Sequence, residues 1–101
     1  MLLPDAETLG MSHRQCLELL ESTEDTLNFL TSTLTYLIHA ESQRPQSDAA
    51  LIAEWKALEQ EVFEVEQSLP GADVVAYQQA ILTYGQRNHE LRPHVDRYMA
   101  K

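Results

Sequence analysis

Residues 12–43 repeat a seam of side chains at alternating steps of three and four positions. The seam comprises His13, Cys16, Leu20, Thr23, Leu27, Leu30, Leu34 and Leu37. One buried face of an α-helix requires this spacing. A strand is a poor alternative, although Thr and Tyr favour sheets, because strict alternation would place Phe29 and Leu37 on the polar face. The stretch is also much longer than a strand, so we predict a helix over about 12–43, with Ser12 and Gln15 forming a capping box.

A second seam follows the polar stretch at residues 41–48. It comprises Leu51, Trp55, Leu58, Val62, Val65 and Leu69. Its steps of four and three form a heptad pattern, which is typical of packed helices. We predict a helix over about 48–69, capped by Ser47 or Asp48 and ended by Pro70 and Gly71.

A third seam occupies the C-terminal part of the chain. It comprises Val74, Tyr77, Ile81, Tyr84, Asn88, Leu91, Val95 and Tyr98. The seam predicts a helix over about 73–100, and Asp73 is the residue expected to cap it. Pro93 lies inside the pattern and lacks an amide donor, so we expect a kink there or a fresh start at residue 93.

Three helices with short connections predict an all-α fold, either an antiparallel three-helix bundle or a coiled-coil-like arrangement. The 101 residues correspond to one domain, and we expect residues 1–11 to be flexible or to form a short N-terminal segment. A bundle this thin and uneven favours association, so we expect a homodimer or a complex with another protein.

Negative charge is concentrated in the first two thirds of the chain. The net charge is −9; residues 1–43 hold seven acidic side chains and one basic one, whereas residues 72–101 hold three and four. Such a field repels phosphates, so we expect no direct binding of nucleic acid and none of a membrane surface. It attracts basic protein surfaces.

The cysteine content and the N-terminal sequence bear on the compartment. A single cysteine, Cys16, cannot form an internal disulfide. The first ten residues lack the basic and apolar regions of a secretory signal, and no apolar run approaches the ~20 residues needed to span a bilayer. We therefore expect a cytoplasmic protein.

The candidate chemistry is weak throughout the sequence. His89 and His94 resemble a zinc-binding helix motif, but their five-residue spacing separates them by ~140° around a helix. His13 and Cys16 are one turn apart, which supplies only two ligands, and acidic neighbours disfavour a Cys16 thiolate. The carboxylates are expected on solvated helix faces with ordinary pKa values. We predict no catalytic residue, metal or cofactor; a small metal- or thiol-dependent enzyme is the remaining alternative.

Aromatic and aliphatic side chains beyond the main seams are candidates for binding another protein. They are Phe29 and Tyr36 on the first helix, Ile52 and Phe63 on the second, and Tyr77, Tyr84 and Tyr98 on the third. Each helix of a three-helix bundle faces two neighbours, so these residues also suit a core. The alternative is an open groove that accepts a partner's amphipathic helix, and tyrosines beside a polar seam residue suit an interface.

These observations predict a non-enzymatic, acidic helical interaction module that docks another protein, through its helix or its basic surface, by means of apolar helix faces. An adaptor, an assembly or secretion chaperone and a regulatory subunit all have this form. The alternative is an acidic inhibitor, immunity protein or nucleic-acid mimic that blocks a basic site.

Overall fold

The computed structural model describes residues 12–100, which form three α-helices. They are α1 (His13–Ser42), α2 (Ala49–Ser68) and α3 (Val74–Met99). The predicted intervals 12–43, 48–69 and 73–100 coincide with the helices plus their cap residues. The predicted all-α three-helix bundle is confirmed, whereas the flexible or short segment predicted for residues 1–11 lies outside the described residues.

The helix starts are fixed by side chains that accept backbone N–H groups. The Ser12 hydroxyl accepts from Gln15 N at 3.1 Å, and the Gln15 side chain accepts from Ser12 N at 2.8 Å, which is the predicted capping box. Asp48, rather than Ser47, caps α2, and Asp73 caps α3.

Helix α1 packs against both other helices, and α2 and α3 approach each other mainly through side chains. Asn88 of α3 contacts Thr26 of α1, and Tyr98 contacts Glu41, so α3 runs parallel to α1. The side-chain contacts between α2 and α3 show that α2 runs antiparallel to both. The described chain extends 53 × 24 × 17 Å. The bundle is therefore narrow, and its α2–α3 side is the least closed.

The predicted seams supply the core. Its buried members are Leu27, Leu30, Leu34, Leu37, Trp55, Val62, Leu69, Tyr77, Ala80, Tyr84 and Leu91. Cys16 is also buried, as expected of a small core residue, and buried Thr23 satisfies its hydroxyl by donating to Leu19 O at 2.8 Å. His13 is a correction to the predicted seam: it is exposed, because it occupies the first turn of α1 at the end of the bundle.

Helix α3 continues through Pro93 without interruption. A fresh start at residue 93 is therefore wrong, while the kink stays a prediction. Leu91 on one side of the proline is buried, and Val95 and Tyr98 on the other side pack against the same core. These contacts keep both halves of the helix packed on the same core. Their stabilisation outweighs the loss of one backbone hydrogen bond, because the exposed proline has no amide donor.

Candidate interaction surfaces

Glu41, at the C-terminal end of α1, is a fully buried carboxylate. The Arg44 guanidinium donates to its two oxygens at 2.9 and 3.0 Å, and the Asp48 N–H donates to Oε2 at 2.7 Å. The Tyr98 hydroxyl donates to Oε1. Each oxygen thus receives two donors, which fills the lone pairs of the carboxylate. Glu41 joins α1, the loop before α2 and the end of α3.

The environment of Glu41 strongly favours its ionised form. The hydrogen bonds from Tyr98 and the Asp48 N–H, together with Arg44, lower its pKa to about 2, although burial acts in the opposite direction. This corrects the expectation that every carboxylate lies on a solvated face with an ordinary pKa. Residue 41 continues the α1 seam four positions after Leu37, and that phase was the signal for its burial.

One surface groove, the α1/α3 groove, has a volume of about 440 Å³. It is lined by Phe29, Thr33, Asn88, His89, Arg92, Val95, Asp96 and Met99. Phe29 on α1 is 62% exposed and Met99 on α3 is 66% exposed, so the groove carries an apolar side chain from each of its two helices. The Arg92–Asp96 ion pair, at 3.1 Å, lies beside them on α3.

Asn88 places a polar group between α1 and α3 beneath this groove. Its Nδ2 donates to Thr26 O at 3.2 Å. Its Oδ1 is buried and has no hydrogen-bond partner within residues 12–100. Buried polar atoms are almost always paired, so the unpaired Oδ1 of Asn88 weakens this helix contact.

Another groove, the α2/α3 groove, has a volume of about 350 Å³ and lies on the other side of α3. Its lining is Leu51, Glu54, Trp55, Ala57, Leu58, Glu61, Arg87, Glu90, Leu91 and His94. Leu51, Trp55, Leu58 and Leu91 are its large apolar side chains, and they belong to the core or pack against it. Trp55 and Leu91 are buried and Leu51 and Leu58 half-buried, so the groove has an apolar floor between charged edges.

Side chains rather than backbone close the floor of the α2/α3 groove. Trp55 is buried, and the His94 ring meets it edge-on with 5.4 Å between ring centroids. The Arg97 Nη2 lies 2.9 Å from His94 Nδ1. Because a guanidinium only donates, Nδ1 is the acceptor, which places the proton of the neutral ring on Nε2.

Three of the predicted partner-binding residues lie near the α1/α3 side of the bundle. Phe29 is exposed and lines the α1/α3 groove. Tyr36 is partly exposed and packs edge-on against Tyr98, with 6.5 Å between centroids. Tyr98 is half-buried, and its hydroxyl donates a hydrogen bond to Glu41. Only Phe29 of these presents a largely free apolar surface.

The other four predicted residues are divided between the outside of α2 and the core. Ile52 is half-buried and Phe63 is exposed, and neither lines the α1/α3 groove or the α2/α3 groove. Tyr77 and Tyr84 are buried core residues. Burial raises the pKa of both phenols. For Tyr84, the hydrogen bond that its hydroxyl donates to Glu61 at 2.7 Å raises the pKa further, to about 12. Their rings are therefore covered before any partner arrives.

The histidines of residues 89–94 face different sides of α3. His89 lines the α1/α3 groove and His94 the α2/α3 groove, as their spacing predicts. Across residues 12–100, no three His, Cys, Asp or Glu side chains are placed to hold a metal ion. None of the three helices described combines the length and the apolar character needed to cross a bilayer.

Comparison with known proteins yields no match to a family model, to a curated protein or to a solved structure.

Proposed function

We propose that this protein is a non-enzymatic interaction module that docks another protein through the α1/α3 groove. The observation that carries the proposal is the pair Phe29 and Met99, two large apolar side chains, each more than half exposed, on the two helices that flank one groove. Burying a side chain of this kind stabilises a complex by roughly 1.5–3 kcal/mol. Exposed apolar side chains grouped at a groove are typical of a binding site.

The charge distribution supports a partner that differs from this chain. At a net charge of −9, two copies repel each other, whereas a basic protein is drawn towards the acidic helices α1 and α2. The proposed assembly is therefore a hetero-complex in the cytoplasm, with this protein as an adaptor, assembly or secretion chaperone, or regulatory subunit. A homodimer is the competing assembly.

Quantitative co-purification from the native host tests the proposal. The double variant Phe29→Ser, Met99→Ser should lose the specifically bound protein. Leu82→Ser is the matched control, because Leu82 is 67% exposed on α3 and lines neither groove. Equal retention of the same protein by all three chains would show that the α1/α3 groove does not bind it.

A second candidate function is an acidic inhibitor or nucleic-acid mimic that blocks a basic site. The exposed row Glu54, Glu61 and Glu64 along α2 favours this possibility. Surface charges are screened over ~8–10 Å at moderate ionic strength. A mimic should therefore lose affinity steeply with added salt and tolerate Phe29→Ser, whereas an apolar contact should tolerate salt and fail with Phe29→Ser.

A further inference from the structure

We infer that the α2/α3 groove is a second docking site, which takes an amphipathic helix with an apolar stripe flanked by lysine or arginine. This goes beyond the proposed function, since it assigns a different surface and a different ligand chemistry. Together with the α1/α3 groove of the proposed function, on which this one consequence rests, the second site would make the protein an adaptor that holds two partners.

The first support is the packing order of the helices. Helix α1 packs along both neighbours, while α2 and α3 touch through side-chain bridges such as Tyr84–Glu61 and Trp55–His94. A fourth helix laid between α2 and α3 would contact both and convert the three-helix arrangement into a four-helix bundle. Helix-in-groove recognition uses anchor residues at i, i+3, i+4 and i+7, and such a row of side chains fits a groove that runs between two helices.

The second support is the sign of the charge along the groove. Its lining contains three carboxylates, on Glu54, Glu61 and Glu90, against one guanidinium, on Arg87. Arg87 is bonded to Glu90 at 3.0 Å, and the Tyr84 phenol that donates to Glu61 is neutral. Glu54 forms no ion pair within residues 12–100. Uncompensated negative charge therefore borders an apolar floor, which selects a cationic amphipathic helix over an acidic one.

The two grooves can be occupied together. The α1/α3 groove uses Asn88, Val95 and Met99 of α3, whereas the α2/α3 groove uses Leu91 and His94. No residue lines both grooves. A variant in one groove should therefore leave binding at the other unchanged.

The chain contains its own reporter for the α2/α3 groove. Trp55 is the single tryptophan and lies in the groove lining. The probe is a tryptophan-free synthetic amphipathic peptide with a leucine stripe and lysine on both flanks, titrated into the full chain. We expect a saturable change in Trp55 fluorescence, and at least about tenfold weaker binding when every lysine of the peptide is replaced by glutamate.

Three variants locate the bound peptide. Ala57→Phe fills the groove from an exposed position and should reduce the affinity at least about tenfold, whereas Glu54→Lys should reduce it several-fold. The double variant Phe29→Ser, Met99→Ser should bind as the wild type does. Circular dichroism of each variant shows that the helices are retained.

The opposite pattern overturns the inference. Equal binding of the lysine and glutamate peptides, or no change in Trp55 fluorescence at saturating peptide, contradicts the assigned site. Binding that is lost in the Phe29, Met99 double variant but unaffected by Ala57→Phe places the peptide in the α1/α3 groove. That last result leaves the proposed function standing and removes only the second site.

Discussion

The hydroxyl of Tyr98 donates to the buried carboxylate of Glu41, joining the last turn of α3 to the last turn of α1. Arg44 and the Asp48 N–H complete the site from the connecting loop. Met99, which lines the α1/α3 groove, is the next residue after Tyr98. This buried carboxylate therefore fixes the end of α3 on which the proposed docking surface depends.

Acid stability should depend on Glu41. Its pKa is about 2 in the folded protein against an ordinary value of 4.5. Its contribution is therefore complete above pH 4.5 and lost as the pH falls towards 2. Glu41→Gln should lower the free energy of unfolding at neutral pH and flatten its decline between these values, as measured by urea unfolding at a series of pH values.

Glu21→Gln is the matched control for Glu41→Gln, because Glu21 is exposed. It should leave both the neutral stability and the acid profile close to wild type. An acid profile that is unchanged in Glu41→Gln would show that this carboxylate is not held ionised in the folded protein.

Alkaline stability should depend on the buried tyrosines. Burial raises the pKa of Tyr77 and Tyr98, and that of Tyr84 to about 12. The folded chain thus keeps phenol protons that the unfolded chain releases near pH 10, so stability should fall as the pH rises from about 10 towards 12. Tyr84→Phe should make this fall shallower and, by removing the bond to Glu61, lower neutral stability by about 0.5–1.5 kcal/mol. Urea unfolding at a series of pH values from neutral to alkaline measures both effects, and an alkaline decline that is unchanged in Tyr84→Phe contradicts the prediction.

The same substitution at two glycines should have opposite effects. Gly85 lies inside α3 with open space where a Cβ would go, so Gly85→Ala should stabilise the protein by about 1 kcal/mol. Gly71, between α2 and α3, has φ of 84°, which an L side chain rarely adopts, so Gly71→Ala should destabilise it. Thermal unfolding should show a rise of about 4–8 °C for the first variant and a fall for the second. A fall for Gly85→Ala would contradict the packing of α3.

Replacing Asn88, whose Oδ1 is buried, should stabilise the bundle. The unpaired buried Oδ1 costs roughly 1–3 kcal/mol, while the hydrogen bond that Nδ2 donates to Thr26 O contributes about 1 kcal/mol of stability. Asn88→Leu should therefore raise the melting temperature, and Asn28→Leu, at an exposed position of α1, should change it little. A lower melting temperature for Asn88→Leu would mean that Oδ1 is paired in solution.

The three helices could be predicted because the sequence marks where each one begins and ends. Seams at steps of three and four residues fixed which face is buried, and Ser12, Asp48 and Asp73 accept the first backbone amides. The third seam also keeps its phase across Pro93, where α3 is continuous. Asn88 was recognised as the polar member of its seam, although its pairing with Thr26 depends on how α1 and α3 meet.

The surfaces could not be predicted in the same way, because they depend on the rotation of each helix about its axis and on which helix pair packs least closely. The periodicity of the sequence does not distinguish buried aromatic side chains from exposed ones: Phe29 is exposed, whereas Tyr77 is buried. Met99 and Trp55 were missed as groove residues for the same reason. Glu41 was missed because an acidic residue beside a polar loop usually faces solvent.

Site-specific photo-crosslinking in the native host tests whether the α1/α3 groove docks another protein. A photoreactive side chain at His89, an exposed residue of the α1/α3 groove, is compared with one at Gln78, an exposed residue of α3 outside both grooves. Docking at this groove should give a discrete adduct with another protein from position 89 alone, and Phe29→Ser with Met99→Ser should abolish it. The absence of an adduct at position 89, equal adducts at both positions, or an adduct that survives the double variant would contradict it.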